Sequence, residues 1–210
     1  VGVKAKQLSN IELITSNKKI IERISPYTTI LPEGYIGEIC TEYQEWSDRV
    51  RGFVKSGIAI SIDYGHEIEK FYDRKRKNGL IRCYDNHTIN SNPYYKPGKQ
   101  DITSHVDFTS LNKALENSGF IKLFNLSQKE FLEITGIENL IDDLEKKYNN
   151  KQINHKTYKE NLTGMLLLTD SKGLGKFRVL IHCTDDLFSI LKKNQDFLTQ
   201  NKFKLNCPLK

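Results

Sequence analysis

Several features that mark special classes of protein are missing from this 210-residue chain. No apolar run approaches the roughly 18 residues of a membrane-spanning helix. The first ten residues show neither an apolar segment nor a small-residue cleavage site, so we do not expect a secreted protein. Prolines number only 5, and repeats and low-complexity segments are lacking. A globular fold is therefore favoured over disorder.

Paired or clustered cysteines are also missing. Cys40, Cys83, Cys183 and Cys207 lie far apart in the sequence, without a C-x-x-C pair or a Cys/His cluster. This argues against a zinc site. Isolated thiols without a signal peptide are typical of a reducing compartment, and we expect all four to be buried as small apolar side chains.

The charge is positive but not concentrated. The formal net charge is +6 and the sequence pI is about 9.0. The basic residues are mostly scattered lysines with short clusters such as Arg74–Lys77, and we find no aromatic-basic strip like those of nucleic-acid-binding modules. A solvated, lysine-rich surface is the favoured interpretation, and nucleic-acid binding stays a minor hypothesis that rests on charge alone.

The clearest helix-then-strand pattern begins at residue 39. Apolar residues recur at helical spacing from Ile39 to Phe53, which predicts a helix with Trp46 and Phe53 as core anchors and Gly57 as its C-terminal cap. The apolar run Ile58–Ile62 then predicts a strand buried on both faces, as in a parallel α/β unit.

Polar residues follow directly after that strand. Asp63, Tyr64, Gly65 and His66 would lie beyond its carboxyl end, where ligands bind in open parallel sheets. The same residues are also ordinary turn chemistry, so position alone leaves a functional and a structural role equally open.

Capping and turn residues predict the remaining elements. These are a long loop over Asp85–Asp101, a helix capped by Asp107 and closed by Gly119, a helix opened by a Ser127/Glu130 capping box and closed by Gly136, a strand over Lys176–His182, and an amphipathic helix over Asp186–Leu198.

Five segments, in order, resemble the MidA-like family of S-adenosylmethionine-dependent methyltransferases. They are Ile62–His66, Gly79–Tyr84 with His87, Pro97–Phe108, Leu126–Ile137 and Gly175–Leu180. The third segment reads P-G-K-Q-D-I-T-S-H-V-D-F and is close to the family's P-G-x-x-D-I-T-A-H-V-D-F. In the second, Leu80 and Ile81 stand where the family usually has Thr and Leu.

The resemblance implies an α/β fold: the C-terminal portion of a class I, Rossmann-like methyltransferase sheet with an inserted helical region. It implies S-adenosyl-L-methionine as the cofactor and methylation of protein arginine, because the family includes the mitochondrial complex I assembly methyltransferase. The substrate would then be a protein such as a complex I subunit, and the compartment a bacterial cytoplasm or a mitochondrial matrix.

The resemblance also draws attention to a missing motif. The family binds its cofactor on a glycine-rich turn after the first strand, and this chain has no comparable segment. Gly173 and Gly175 precede a predicted strand and cannot serve. We therefore expect the chain to keep the last three strands, with a partial hairpin or insert region over residues 1–34, the C-terminal half of the methyltransferase domain over 35–184, and a tail helix over 185–210. A first residue Val fits an excerpt of a longer chain.

Carboxylates, histidines and one tyrosine of the matching segments are the candidate site residues, since carboxylates orient a guanidinium and imidazoles form hydrogen bonds or relay protons. The catalytic candidates are Asp63, His66 and Asp101, and the weaker substrate-orienting candidates are Tyr64, His87, His105 and Asp107. Asp107 is more readily interpreted as a helix cap than as a catalytic residue, and Asp101 is also interpretable as a brace of its loop. No cofactor-binding or metal-binding residue is identified.

Two hypotheses of different classes follow. In the first, the chain is part of a methyltransferase that is active only with its missing N-terminal half or with the product of a split gene. In the second, it is a non-catalytic remnant or scaffold that binds a protein through an unpaired sheet edge. Neither hypothesis includes nucleic acid or a membrane span.

Overall fold

The structure is a computed structural model that describes residues 1–4 and 7–193. The helices in these residues are α1 (Lys18–Ile24), α2 (Tyr43–Phe53), α3 (Ile68–Phe71), α4 (Phe108–Asn117), α5 (Gln128–Thr135), α6 (Ile137–Asn149), α7 (His155–Thr169) and α8 (Asp185–Lys193). The strands are β1 (Gly2–Lys4), β2 (Gln7–Ser9), β3 (Ile58–Asp63), β4 (Gly65–His66), β5 (Arg82–Asp85), β6 (Thr88–Asn90), β7 (Asp101–Thr103), β8 (Val106–Asp107), β9 (Phe120–Ser127) and β10 (Arg178–Thr184). Short 3-10 helices cover Ser25–Tyr27 and Leu174–Lys176.

These residues form two compact units. The first unit comprises residues 1–44 and 65–111, and the second comprises 45–64 and, within the described range, 112–193. The domain boundaries predicted from the sequence, after residues 34 and 184, stay a prediction.

The first unit combines small sheets around an aromatic core. Strands β6, β5 and β7 form an antiparallel sheet in that order, β4 pairs with β8 in parallel, and β1 pairs with β2. Its core contains Ile68, Phe71, Tyr72 and Leu80, with Tyr27, Leu31 and Tyr35 packed against them. The site described below adjoins this core, and Phe71 and Tyr72 belong to both.

The loop predicted over Asp85–Asp101 is partly wrong, because its first residues form a hairpin between β5 and β6. Asn86 and His87 make the two-residue turn with φ angles of 47° and 64°. Two consecutive left-handed residues match the twist of a tight hairpin, and Asn and His tolerate that conformation better than most side chains. The sequence lacks the Asn-Gly or Asp-Gly pair that usually reveals such a turn.

The second unit contains a three-stranded sheet in the order β3-β10-β9. Strand β10 is antiparallel to both neighbours, so β3 and β9 run in the same direction. From Val179 to Thr184 every residue of β10 is buried. A separate cluster of Ile137, Leu144 and Met165 holds α6 and α7 together.

Strand β3 differs from its prediction as a strand buried on both faces. It pairs only with β10 among the described strands, and it is antiparallel to it. Its isoleucines Ile58, Ile60 and Ile62 are each about half exposed, at 48–51%. The apolar run therefore marks an edge strand with one uncovered apolar row, which sequence alone cannot distinguish from a central strand.

Helix α2 begins at Tyr43 rather than Ile39, and its predicted anchors are wrong. Trp46 is 40% exposed and Phe53 is 87% exposed, whereas Ser47 is buried. Gly57 is not the cap, because the helix ends at Phe53 and Gly57 binds the end of β10 through hydrogen bonds with Thr184.

The predicted caps of α5 are confirmed. The Ser127 hydroxyl accepts from the Glu130 amide while Glu130 accepts from the Ser127 amide, and Gly136 closes α5 with φ 93°. Strand β10 begins two residues later than predicted. The predicted tail helix is present as α8 up to Lys193, and its remainder lies outside the described residues.

The expectation for the cysteines is met at two positions. Cys83 and Cys183 are fully buried, but Cys40 is exposed, which corrects the prediction for that residue. Cys207 lies outside the described residues. The burial of the Cys183 thiol raises its pKa, so this group is a core residue rather than a reactive one.

Candidate functional site

A cavity of about 210 Å³ lies within the first unit. It is bordered by polar and aromatic side chains from α1, from the segment before α2, from α3 and from the segment between β7 and α4. The lining residues are Arg23, Glu38, Ile39, Cys40, Tyr43, Phe71, Tyr72, Ser104, His105 and Asp107. The cavity therefore brings two carboxylates, a guanidinium, an imidazole and three aromatic rings into one small volume.

Asp107 is the most highly connected residue of the cavity. Its side chain is only 6% exposed, and its Oδ2 forms an ion pair with the Arg23 guanidinium. Its Oδ1 accepts from the Ser110 amide at 3.1 Å and so caps α4. Its own amide donates to the Tyr43 hydroxyl oxygen at 3.0 Å. Both carboxylate oxygens and the backbone amide are thus fixed, which holds the charge in one orientation.

Arg23 also contacts an aromatic ring. Its guanidinium carbon lies 5.8 Å from the centre of the Tyr72 ring, within the range of a cation–π interaction. The Tyr72 ring in turn packs against Tyr27 at 5.0 Å between centroids. A carboxylate together with an aromatic face is the combination that recognises a planar cation such as guanidinium.

The phenol of Tyr43 stays protonated at neutral pH. Burial, the largest cause, raises the pKa of Tyr43 to about 12, although the hydrogen bond from the Asp107 amide acts in the opposite direction. Because the oxygen already accepts that bond, the hydroxyl proton is available to a group in the cavity.

Glu38 places a second carboxylate on the cavity. Its Oε1 accepts from the amides of Leu80 and Ile81 at 2.7 and 2.9 Å. Its Oε2 is buried and has no hydrogen-bond partner among the described residues. Gly79 makes this approach possible, since a Cβ there would lie 2.3 Å from Oε1 and its φ is +72°. One oxygen is therefore anchored and the other is open to a donor.

His66 and His105 lie side by side at this site. Their ring centroids are 4.9 Å apart, and the parallel pairing of β4 with β8 places His66 opposite Asp107. Gly65 permits the close strand approach, because a Cβ there would lie 2.1 Å from the Val106 carbonyl oxygen. Burial, with further contributions from nearby cations and His105, lowers the pKa of His66 to about 4. His66 is therefore neutral at pH 7.

Of the residues predicted from the sequence, the first unit brings three together. His105 and Asp107 line the cavity, and His66 lies against His105. His87 lies exposed in the hairpin turn and Asp101 lies exposed at the start of β7, and neither borders the cavity.

Asp63 and Tyr64 belong to the second unit. The Asp63 carboxylate is exposed and accepts from the Tyr64 amide at 2.7 Å, while the Tyr64 ring packs against Phe177 at 5.6 Å. Their assignment as catalytic and substrate-orienting residues stays a prediction, as does that of the other candidates.

Among the cavity residues that were not predicted as site residues, four carry the interactions described above: Arg23, Glu38, Tyr43 and Tyr72. Arg23 lies 84 positions before Asp107, and Glu38 lies 42 positions before its partner Leu80. Tyr43 was interpreted as part of an apolar helix face. A useful signal would have been the Gly79 turn, which can face a carboxylate only because it lacks a side chain.

Comparison with known families gives the decisive match. Residues 4–125 match the sequence model of the family described as "Putative S-adenosyl-L-methionine-dependent methyltransferase". This chain belongs to that family. The match contains the cavity and the motifs from Ile62 to Phe108, and it confirms the methyltransferase resemblance and the cofactor prediction at the level of the family.

Solved structures agree with this assignment. The chain is similar to a candidate methyl transferase from Burkholderia thailandensis bound to S-adenosyl-homocysteine, with 26% identity and a TM-score of 0.69. It is also similar to an uncharacterized protein of the same superfamily and organism, with 25% identity and a TM-score of 0.68. These matches cover 80% and 79% of this chain but only 42% and 43% of the solved chains. A comparison with curated proteins gives no match.

The structural likeness confirms the predicted α/β methyltransferase fold. Within the described part of the chain, no helix is long and apolar enough to cross a membrane. Over the same residues, no group of three or more His, Cys, Asp or Glu side chains is arranged to hold a metal ion.

The described residues do not fit the expected cofactor cradle. Three strands run directly into helices, at Asp107–Phe108, Ser127–Gln128 and Thr184–Asp185, and none of these junctions contains glycine. Gly175 is needed elsewhere, since a Cβ there would lie 2.7 Å from the Asp170 carbonyl oxygen. A glycine-rich turn facing the cofactor is therefore not among the strand-to-helix junctions of the described chain.

Proposed function

We propose that this chain supplies the substrate-binding part of a MidA-like methyltransferase that acts on arginine in a protein. The observation that carries the proposal is the cavity of the first unit, which holds a guanidinium between the Asp107 carboxylate and the Tyr72 ring. The methyl donor is S-adenosyl-L-methionine, on which the family of this chain depends. The proposed substrate is a protein such as a respiratory complex I subunit, and the proposed compartment is a bacterial cytoplasm or a mitochondrial matrix.

Methylation of a guanidinium nitrogen requires a fixed orientation of that nitrogen. Asp107 supplies a carboxylate whose direction is locked by the Ser110 amide, and Glu38 supplies a second carboxylate oxygen that is buried and open to a donor. Two carboxylates on one guanidinium can hold its plane as well as its position, which a single ion pair cannot do.

The methylated nitrogen must also lose a proton. His66 is neutral at pH 7 because its pKa is lowered to about 4, and it lies against His105 at the cavity. We propose that His105 receives the proton from the substrate side, and that His66, which is neutral at pH 7, adds no positive charge that would oppose this transfer. Asp63 and Asp101 stay catalytic candidates on the family motifs, and Tyr64 and His87 stay weak substrate-orienting candidates.

A second polypeptide segment completes this proposal. The solved relatives are more than twice as long as the part that this chain matches. Strand β3 exposes a sheet edge and the row Ile58, Ile60 and Ile62. We propose that the segment which carries the glycine-rich cofactor turn docks on this edge and covers the row, since both backbone groups and apolar surface are available there.

The same exposed edge favours the second candidate, a scaffold that binds a protein without catalysis. The two are separated by one experiment. The chain is coexpressed with the polypeptide encoded immediately upstream of it, and transfer of labelled methyl groups to an arginine-rich protein is measured for the pair and for each part alone.

Methyl transfer by the coexpressed pair, but by neither part alone, supports the enzyme. Stable copurification of the pair without methyl transfer supports the scaffold. Titration of the 210-residue chain with S-adenosyl-L-methionine serves as the cofactor control. Micromolar binding by this chain alone would contradict the proposal that the cofactor cradle comes from elsewhere.

A further inference from the structure

Helix α1 is attached to the first unit in an unusual way. It has seven residues, none of which is buried, and its N-terminus is capped by the Asn17 side chain, which accepts from Lys19. Its described link to the cavity is the side chain of Arg23, in its last turn, which is 24% exposed. A helix without buried residues gains little from packing, so the ion pair of Arg23, together with the Tyr27–Tyr72 contact just after the helix, is a major part of what holds it.

The partners of Arg23 are side chains of the cavity rather than of a helix interface. Its guanidinium binds Asp107 and lies over Tyr72, and both groups line the cavity. A guanidinium from any other source would find the same carboxylate and the same ring there. A second guanidinium cannot take the same position against Asp107 Oδ2 and the Tyr72 ring while Arg23 is there, because the two groups would overlap and their charges would repel.

We infer that Arg23 is an internal substrate mimic: it occupies the guanidinium position of the cavity and must leave before a substrate arginine can enter. This rests on the proposed function for the identity of the substrate, but the competition itself concerns only the chain's own residues. Helix α1 would then act as a releasable strap, which swings away when a better-placed guanidinium binds.

The strength of the competition between Arg23 and an external guanidinium follows from the covalent tethering of Arg23. A group on a short tether competes at roughly millimolar effective concentration, so if a guanidinium binds the vacant position with a dissociation constant of about 0.1 mM, the tethered Arg23 raises the apparent value for an external guanidinium by about tenfold. Removing Arg23 should remove this competition and leave a buried carboxylate without its partner, which further favours binding of an external cation.

The test measures binding of methylguanidinium to the 210-residue chain by calorimetry. Arg23→Ala should bind it at least about tenfold more tightly than the wild type. Methylammonium should show a smaller gain, because it lacks the planar face with which a guanidinium lies over the Tyr72 ring. The matched control is Arg49→Ala, which removes an exposed arginine whose partner Glu45 lies 4.0 Å away, and it should bind as the wild type does.

A second variant identifies the site. Asp107→Asn added to Arg23→Ala keeps a side-chain oxygen for the helix cap but removes the charge, and it should abolish the gain. Equal affinity of Arg23→Ala and Arg49→Ala would overturn the inference and leave Arg23 as a structural ion pair.

Hydrogen exchange on the wild type covers the case in which Arg23→Ala does not fold. Saturating methylguanidinium should accelerate exchange of the α1 amides by roughly tenfold over sodium chloride of the same concentration. Unchanged exchange rates of the α1 amides would contradict the proposal that α1 is released.

Neither assay needs cofactor, so the two proposals can fail separately. A gain in methylguanidinium binding without methyl transfer would contradict only the proposed function. Methyl transfer by the coexpressed pair at the same rate with and without Arg23→Ala would contradict only the inference that Arg23 competes with the substrate.

Discussion

Acid should destabilise this protein through His182, a histidine at the centre of β10. Its side chain is fully buried, and Nε2 lies 3.1 Å from the Asn112 side-chain oxygen. Its Nδ1 is buried without a hydrogen-bond partner among the described residues. Protonation would create a charged N–H there with no acceptor. Burial, the largest cause, lowers the pKa of His182 to about 4, although Glu116 acts in the opposite direction.

The direction and size of this change in the free energy of unfolding follow from the linkage between protonation and folding. The pKa is lowered from 6.5 in the unfolded chain, so the unfolded state takes up the proton first as the pH falls. The contribution to stability is present above pH 6.5 and is lost between about pH 6.5 and pH 4. At 1.36 kcal/mol for each pH unit, the loss reaches about 2 kcal/mol at pH 5. His66 acts in the same direction, but its partial exposure makes its share smaller.

Urea unfolding of the 210-residue chain at pH 8 and pH 5 measures this loss. The wild type should lose about 2 kcal/mol more than His182→Gln over this interval, because the variant has no proton to take up at that position. His87→Asn removes an exposed histidine from a turn that Asn tolerates, and it should keep the wild-type loss. The same loss in wild type and His182→Gln would refute the assignment.

Two further changes test the local structure by the same unfolding assay. Ser127→Ala removes one side of the α5 capping box and should cost about 1 kcal/mol, with an unchanged midpoint arguing against the cap. Gly65→Ala places a Cβ on the Val106 carbonyl oxygen and should cost about 2 kcal/mol or more. Gly52→Ala, in α2 with open space around it, should instead stabilise by about 0.5–1 kcal/mol. Loss of stability in both glycine variants would show that the close approach at Gly65 is not the cause.

Short-range features were predictable because their partners are neighbours in the sequence. The Ser127/Glu130 box and the cap by Asp107 each satisfy amides within three residues, so the residue types alone define them. The family motifs were predictable for a different reason, since an ordered set of segments carries more information than any one of them.

Long-range features were not predictable. The apolar run of β3 has the composition of a central strand, and only the sheet order shows that it lies at an edge. The ion pair of Arg23 with Asp107 joins residues that are 84 positions apart, and no local pattern distinguishes Arg23 from other surface arginines. The cavity depends on such pairs, so its candidate residues could be only partly named in advance.

The chemistry of the cavity is tested most directly by the product. After reaction of the coexpressed pair with S-adenosyl-L-methionine and an arginine-rich protein, mass spectrometry of the peptides should find methyl groups on arginine side chains. Asp107→Asn, which keeps a side-chain oxygen for the α4 cap, should reduce this product by about a hundredfold or more, because the guanidinium loses its orienting charge. Methyl groups on lysine or on chain termini, or an undiminished yield with Asp107→Asn, would contradict the account.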